Sequence, residues 1–438
     1  MLNFPSVDSE KERAFLVGAA IHAHKQPLTL SDSLAELELL ADTAGIVVVG
    51  QATQNMHHID PNTYIGSGKV EEIRQLVENE NAGVVIFDDE LSPRHQRQLE
   101  KLFGESIKVL DRSALILDIF AQHAHTREGS LQVELAQYEY LLPRLTRQWT
   151  HLERQAGGGS ARGGTGGVGL RGPGETQLET DRREINRKIV KLKEELEFVR
   201  QHRRQHRQQR SRAGIPVIAL VGYTNAGKST LLKALTGDEV YVADQLFATL
   251  DPLTRRVDLL SGRNIVVTDT VGFIQKLPTT LVAAFRATLE EISEADILLH
   301  VVDTTHPNVA HHIETVEDTL AQIDVPSIPR IRVWNKIDKW GNNPLPAITS
   351  GEPYDAEVPI SAQTGVGIDE LLDAIERVLA IRLYKVKLLI PYQRGDLVSA
   401  LFETAIVENQ EHTEEGVIMT VQLSLALYER FKEYQALG

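Results

Sequence analysis

Gly222-Tyr223-Thr224-Asn225-Ala226-Gly227-Lys228-Ser229 stands between the apolar run Val217–Val221 and the helix-like stretch Thr230–Leu235. Glycines at both ends of the loop let the backbone wrap an anion with its N–H groups turned inward, and Lys228 adds a mobile positive charge for the outer phosphates. The helix opened by Thr230 points its positive end at the same place. The Ser229 hydroxyl is a ligand for the magnesium ion that such phosphates carry. A bare glycine turn would not need a strand before it and a helix after it. The segment therefore predicts a nucleoside triphosphate site on an α/β sheet, lined by Gly222 through Thr230.

The base is read further along. The apolar run Pro329–Trp334 ends in Asn335-Lys336-Ile337-Asp338. A carboxylate at Asp338 accepts from guanine N1–H and the exocyclic amine, a pairing adenine cannot offer. Asn335 and the stem of Lys336 steady the base, and a second base-side loop follows at Ser361-Ala362-Gln363. Four residues of this kind alone are as often a solvated loop, but after a phosphate loop the pattern is specific. Between the two, Asn264–Asp269 delivers a carboxylate to the end of an apolar strand, followed by Thr270, Val271 and Gly272. Ligands bind at that end of a parallel sheet. Asp269 is placed to hold magnesium through water, and the Gly272 N–H to touch the γ-phosphate. Upstream, Phe247-Ala248-Thr249-Leu250-Asp251 brings a hydroxyl, Thr249, to the same metal. The expected catalytic groups are Lys228, Thr249 and Gly272. The expected metal set is Ser229, Thr249 and Asp269.

This order of motifs resembles the translation-factor class of small GTPases. Three segments make the chain similar to the HflX family within it: Phe247–Arg255, Asp269–Ile274, and Arg171-Gly-Pro-Gly-Glu-Thr-Gln-Leu-Glu-Thr-Asp-Arg-Arg183. The similarity runs from about Glu12 to about Ala380 and is weaker beyond. It implies a GTPase that binds the large (50S) ribosomal subunit, its rRNA and proteins, in the GTP state. It also implies splitting or rescue of stalled or stressed ribosomes, with two alternatives left open: ribosome assembly, and a nucleotide-gated RNA-binding module whose hydrolysis is a timer. Asn225 matches an asparagine that helps bind activating potassium in related loops. Phe273 stands where some GTPases carry a water-orienting glutamine, which implies slow turnover in the free protein. The resemblance further implies a weak second nucleotide site in the N-terminal domain. There Tyr64-Ile-Gly-Ser-Gly-Lys69 mimics a phosphate loop but has Thr63 and Val70 at its two critical positions, so a turn that starts a helix is the expected reading.

Composition agrees with a multidomain protein of a reducing compartment. The chain has 438 residues, 42% of them hydrophobic, and no cysteine; length suggests about three domains, and disulfides are excluded. No apolar run is long enough to span a bilayer and the N-terminus lacks a secretion-signal layout. The expectation is a cytoplasmic protein, taken as a monomer; the resemblance implies partial association with ribosomes or a membrane surface. Net charge is −15, yet Arg144–Arg212 holds 17 Lys and Arg against 8 Asp and Glu, a local +9. Such a segment can bind phosphate backbone while the acidic remainder discourages nonspecific coating of RNA. Interleaved charges over Lys188–Glu197 suit a solvated helix. Arg200, Arg203, Arg204, Arg207, Arg210 and Arg212 lack acidic neighbours, and nucleic-acid contact and solvated linker weigh equally for them. His123, His125, His202 and His206 have no companions at metal-ligand spacing and read as surface or packing residues.

The organisation expected is an N-terminal α/β domain (1–112), a long helical hairpin with a glycine-rich tip (113–212), a P-loop GTPase domain (213–380) and a small C-terminal α/β domain (381–438). In the first, strands are expected at Gly45–Gly50, Gly83–Phe87 and Ile107–Leu110, with a further element at Val70–Val77 and another at His95–Phe103. The hairpin helices span Ala114–Glu153 and Glu175 to about Arg210. Their apolar stripes are Leu131, Leu135, Tyr138, Leu141, Leu145 and Ile185, Ile189, Leu192, Leu196, Val199, at three- and four-residue spacing. Glycines from Gly157 to Gly169, with Arg162 nearby, form the tip.

Overall fold

The computed structural model describes residues 12–21, 28–145, 173–212, 215–237, 246–278, 292–322, 328–341, 354–381, 384–423 and 425–436. They fall into two compact units, one built from the chain up to Phe198 with Lys276–Phe285, the other from Val199–Gln275 and Arg286–Gly438.

The first unit holds a parallel sheet of order β2-β1-β3-β4, with β1 at Arg13–Ile21, β2 at Val47–Met56, β3 at Val84–Phe87 and β4 at Lys108–Asp111. Strand β1, inside the sheet and largely buried, has no counterpart among the strands expected from sequence. Its three alanines and Gly18 dilute the β propensity of Phe15, Val17 and Ile21. Gly18 has a packing reason: a Cβ there would stand 2.9 Å from Leu30 Cδ1 on helix α1 (Leu30–Thr43). Strand β2 starts at Val47 rather than Gly45, because Gly45 (φ +78°) ends the turn that closes α1, donating to the Asp42 carbonyl. Left-handed backbone of that kind is where glycine is least strained. The Tyr64–Lys69 segment does open a helix, α2 (Ser67–Asn79), with Gly66 as its N-cap. Helix α3 (Pro93–Phe103) is capped by Ser92, whose hydroxyl accepts from His95 N.

The expected helix Ala114–Glu153 is two helices among the described residues, α4 (Arg112–His123) and α5 (Arg127–Leu145). Thr126 interrupts it. Its hydroxyl accepts from Gly129 N at 3.0 Å, a side-chain cap that starts a new helix. Helix α6 runs over Pro173–Arg212. Leu135 on α5 and Ile189, Leu192 and Leu196 on α6 form one buried cluster, with Leu131, Tyr138, Leu142 and Ile185 against it. Leu142 takes the place expected for Leu141, which is exposed. Asp111 ties α5 to the sheet: it accepts from Tyr140 OH at 2.9 Å and pairs with Arg144 at 3.2 Å. The glycine-rich tip and Arg171 lie outside the described residues.

The second unit holds a six-stranded sheet of order β10-β9-β8-β5-β7-β6. Its strands are β5 (Val217–Gly222), β6 (Leu253–Asp258), β7 (Asn264–Asp269), β8 (Ile297–Asp303), β9 (Arg330–Asn335) and β10 (Ala356–Pro359). All pair in parallel except β6, which runs against β7. Their apolar residues, with those of α7 (Lys228–Thr236) and α10 (Ile368–Ile381), form the core. Helices α8 (Val309–Gln322) and α9 (Ile337–Trp340) follow β8 and β9. A three-stranded antiparallel sheet follows, of order β11-β13-β12 (Tyr384–Ile390, Val417–Leu423, Ile406–His412), covered by α11 (Gly395–Thr404) and α12 (Leu425–Phe431). Helix α11 ends at Thr404 and β12 begins at Ile406.

Candidate functional site

The phosphate loop leaves β5 and enters α7, and two of its glycines are forced by close approach. A Cβ on Gly227 (φ +95°) would stand 2.3 Å from Asn335 Nδ2, and one on Gly222 would stand 2.3 Å from the Val301 carbonyl oxygen. Lys228 is buried and donates to the carbonyls of Tyr223 at 3.0 Å and Gly222 at 3.3 Å. Burial lowers its pKa to about 8, opposed by the nearby Asp269 carboxylate. Over the loop opens a cavity of about 420 Å³, within the range of small-molecule sites.

At its phosphate end the three oxygens expected to serve magnesium come together. Ser229 Oγ donates to Asp269 Oδ2 at 2.6 Å and lies 2.9 Å from Thr249 Oγ1. Asp269 Oδ1 is buried and makes no hydrogen bond among the described residues. Burial raises the Asp269 pKa, against Lys228 and its hydrogen bonds. Two hydroxyls and a carboxylate are hard oxygen donors, and a buried acceptor without a donor suits a hard divalent cation or its water shell. The residues present fit magnesium.

At the base end the two predicted motifs touch each other and the phosphate loop. Asn335 Nδ2 donates to the Ala226 carbonyl at 2.9 Å, while Asn335 Oδ1 accepts from Ala362 N at 3.0 Å. Lys336 (φ +65°) donates to the Asn225 carbonyl at 3.0 Å and pairs with Asp303 at 2.7 Å. Ser361 Oγ donates to Asp338 Oδ1 at 2.6 Å, fixing the carboxylate at the cavity wall.

Of the residues singled out from sequence, the cavity is lined by Thr224, Asn225, Gly227, Lys228, Ser229 and Thr230, by Phe247, Ala248 and Thr249, by Thr270 and Gly272, and by Asn335, Lys336, Asp338, Ala362 and Gln363. Gly222, Tyr223, Ala226, Leu250, Asp251, Asp269, Val271, Ile337 and Ser361 are not in its wall. Several of these act from behind it: Ala226 and Gly222 as carbonyl acceptors, Asp269 and Ser361 through their hydrogen bonds. Two residues were not expected from sequence. Lys339 lines the base end. Asp303 ends β8 and holds Lys336, and its pKa is depressed by hydrogen bonds from Lys336 and Thr305 in spite of burial. An acid at the ligand-binding end of an apolar strand was its available signal, the same signal that marked Asp269.

Residues 217–336 match the family described as a 50S ribosome-binding GTPase. Residues 31–121 match the N-terminal region, and 123–210 the middle region, of a GTP-binding GTPase; residues 349–433 match the HflX C-terminal domain. The GTPase HflX of Caldanaerobacter subterraneus subsp. tengcongensis is 46% identical over 425 residues, covering 97% of this chain and 94% of that one. The chain belongs to the HflX family of GTPases. GTPase HflX of Escherichia coli K12 is 45% identical over 387 residues, 88% of either chain. A GTP-binding protein from Sulfolobus solfataricus, solved with GDP, is similar at 25% identity and TM-score 0.43, over 84% of this chain and 98% of that one. As an HflX-family GTPase the protein hydrolyses GTP, and P-loop GTPases generally use magnesium. Among its described residues no helix is long and apolar enough to cross a membrane.

Proposed function

We propose that this GTPase binds the large (50S) ribosomal subunit in its GTP state and splits or rescues ribosomes that have stalled or met stress. The observation that carries the nucleotide half is the convergence on one cavity of Lys228, the Ser229–Thr249–Asp269 oxygens and the Asn335–Asp338 and Ser361–Gln363 base loops. The ribosomal half is supported by the match of residues 217–336 to 50S ribosome-binding GTPases and by the +9 stretch Arg144–Arg212.

In this reading Lys228 and the N–H groups of the phosphate loop neutralise charge that builds on the γ-phosphate as water attacks. Ser229 and Thr249, with Asp269 through water, would hold magnesium, which would offset part of that charge. Gly272 offers its N–H to the γ-phosphate and so reports its loss. Asp338 reads guanine, with Asn335 and Lys336 bracing loop and base. Asn225 would help hold an activating potassium ion. Phe273 supplies no water-orienting amide, so the free enzyme is slow and the ribosome completes the site. Segment 113–212 is the ribosome-facing arm, and the protein works in the cytoplasm.

Splitting is tested by light scattering of intact ribosomes mixed with the protein. A drop in scattering with a nonhydrolysable GTP analogue, and little with GDP, is expected. Unchanged scattering with either nucleotide, while subunits still bind, removes splitting and leaves the assembly role. Turnover limited to about one GTP per binding cycle identifies the timer.

A further inference from the structure

Tyr223 is the phosphate-loop residue whose side chain leaves the cavity. Its ring is 5% exposed and stacks face to face on His312, centroids 3.7 Å apart and planes 3° from parallel. Behind His312 lies His306, ring centre at 4.1 Å. His306 Nδ1 accepts from Asn308 N at 3.1 Å, which fixes the turn into α8. The His312 pKa is lowered to about 3, by burial and then by His306 and His311. At cellular pH the His312 ring that stacks on Tyr223 is therefore neutral.

The other end of Tyr223 reaches the segment after Gly272. Gln275 N donates to the tyrosine hydroxyl at 3.0 Å, and both residues are buried. Thr224 N donates to the Phe273 carbonyl at 2.8 Å, and Phe273 N to the Gly222 carbonyl at 3.1 Å. Phe273–Gln275 is thus laced to the phosphate loop by two backbone bonds and one side-chain bond. The lacing presses Gly272 inward: a Cβ there would stand 2.9 Å from Thr224 Cα and 3.0 Å from Lys228 Nζ.

We propose that Tyr223 is a positioning residue for GTP hydrolysis: its hydroxyl, backed by the His312 stack, holds Gln275 so that the Gly272 peptide faces Lys228 across the cavity. The proposal rests on the assignment of Gly272 and Lys228 to the γ-phosphate. Tyr223 touches neither nucleotide nor metal in this account. It fixes the segment that does, where a GTPase with a mobile segment would pay for that order at each turnover.

The test uses the full chain in single-turnover hydrolysis, with GTP and GDP affinities measured alongside. Tyr223→Phe keeps the stack and deletes the hydrogen bond. The rate constant is expected to fall roughly three- to tenfold, the worth of one hydrogen bond at the transition state. Both affinities should stay within about twofold, because the phosphate-loop backbone is untouched. His312→Ala lets the ring swing and should also slow hydrolysis, but adding it to Tyr223→Phe should cost little more, since both act through the same hydroxyl. An unchanged rate in Tyr223→Phe overturns the proposal. So do rate and affinities falling together, which marks a purely structural residue, and so does full additivity. A Lys228→Ala control is expected to lose GTP binding. Retained binding there removes the site assignment, whereas lost binding with an unchanged Tyr223→Phe rate removes the tyrosine alone.

Discussion

Lys228 donates to two carbonyl oxygens and lies near the buried Asp269 carboxylate, and burial, opposed by that carboxylate, lowers its pKa to about 8. Triphosphate oxygens in their place favour the ammonium form, so nucleotide raises the pKa again. The sign follows: a group with a higher pKa in the complex binds best while protonated. GTP affinity should be flat below about pH 8 and weaken by up to about tenfold per unit above it, with proton uptake on binding. Calorimetry in buffers of different ionisation enthalpy checks this, and buffer-independent heats at about pH 8.5, just above that pKa, would contradict it. Asp338, oriented by Ser361, carries the second prediction at this scale. Asp338→Asn should weaken GTP by several kcal/mol, because one of two acceptors is replaced by an NH2 that faces a guanine donor, and should shift preference to xanthine nucleotides. Competition binding with GTP and XTP decides it. Both residues were legible because each motif is contiguous and sits where an apolar strand ends. Asp303 and the Tyr223–His312 stack were not, because their meaning lies in partners far away in the chain.

Helices α5 and α6 show the same limit among elements. Their facing stripes followed from three- and four-residue spacing, yet the break at Thr126 did not, because a capping hydroxyl is invisible to periodicity. Strand β1 was missed because a glycine, Gly18, interrupts its apolar run, and that glycine is selected by the helix packed on it. The base loops fared better: Ser361–Gln363 was expected beside Asp338 and the structure puts it there. Segment 113–212 also carries a prediction of its own. Neutralising Arg200, Arg203, Arg204 and Arg207 should flatten the salt dependence of ribosome binding by roughly 0.7 in log–log slope for each phosphate group no longer neutralised. Deleting Gly157–Gly167 should leave GTP binding intact, because residues 215–381 enclose their own core, while abolishing stimulation by ribosomes. Filter binding over a salt series and stimulated turnover check the pair; full stimulation in the deletion variant would reduce the tip to a connector.

Over the whole molecule, charge is divided rather than diluted. A chain of net charge −15 with +9 concentrated in Arg144–Arg212 presents one stretch suited to phosphate and an acidic remainder that resists it. That division, with a cavity whose metal-side and base-side groups meet through Asn335 and the phosphate loop, supports a nucleotide-dependent grip on RNA-rich surfaces. The measurement closest to this claim is co-sedimentation of the full chain with purified large and small ribosomal subunits at fixed salt, comparing GDP with a nonhydrolysable GTP analogue. The protein is expected to pellet with the large subunit in the analogue and to be largely left in the supernatant in GDP. Equal pelleting in the two nucleotides, or pelleting with the small subunit instead, would contradict it.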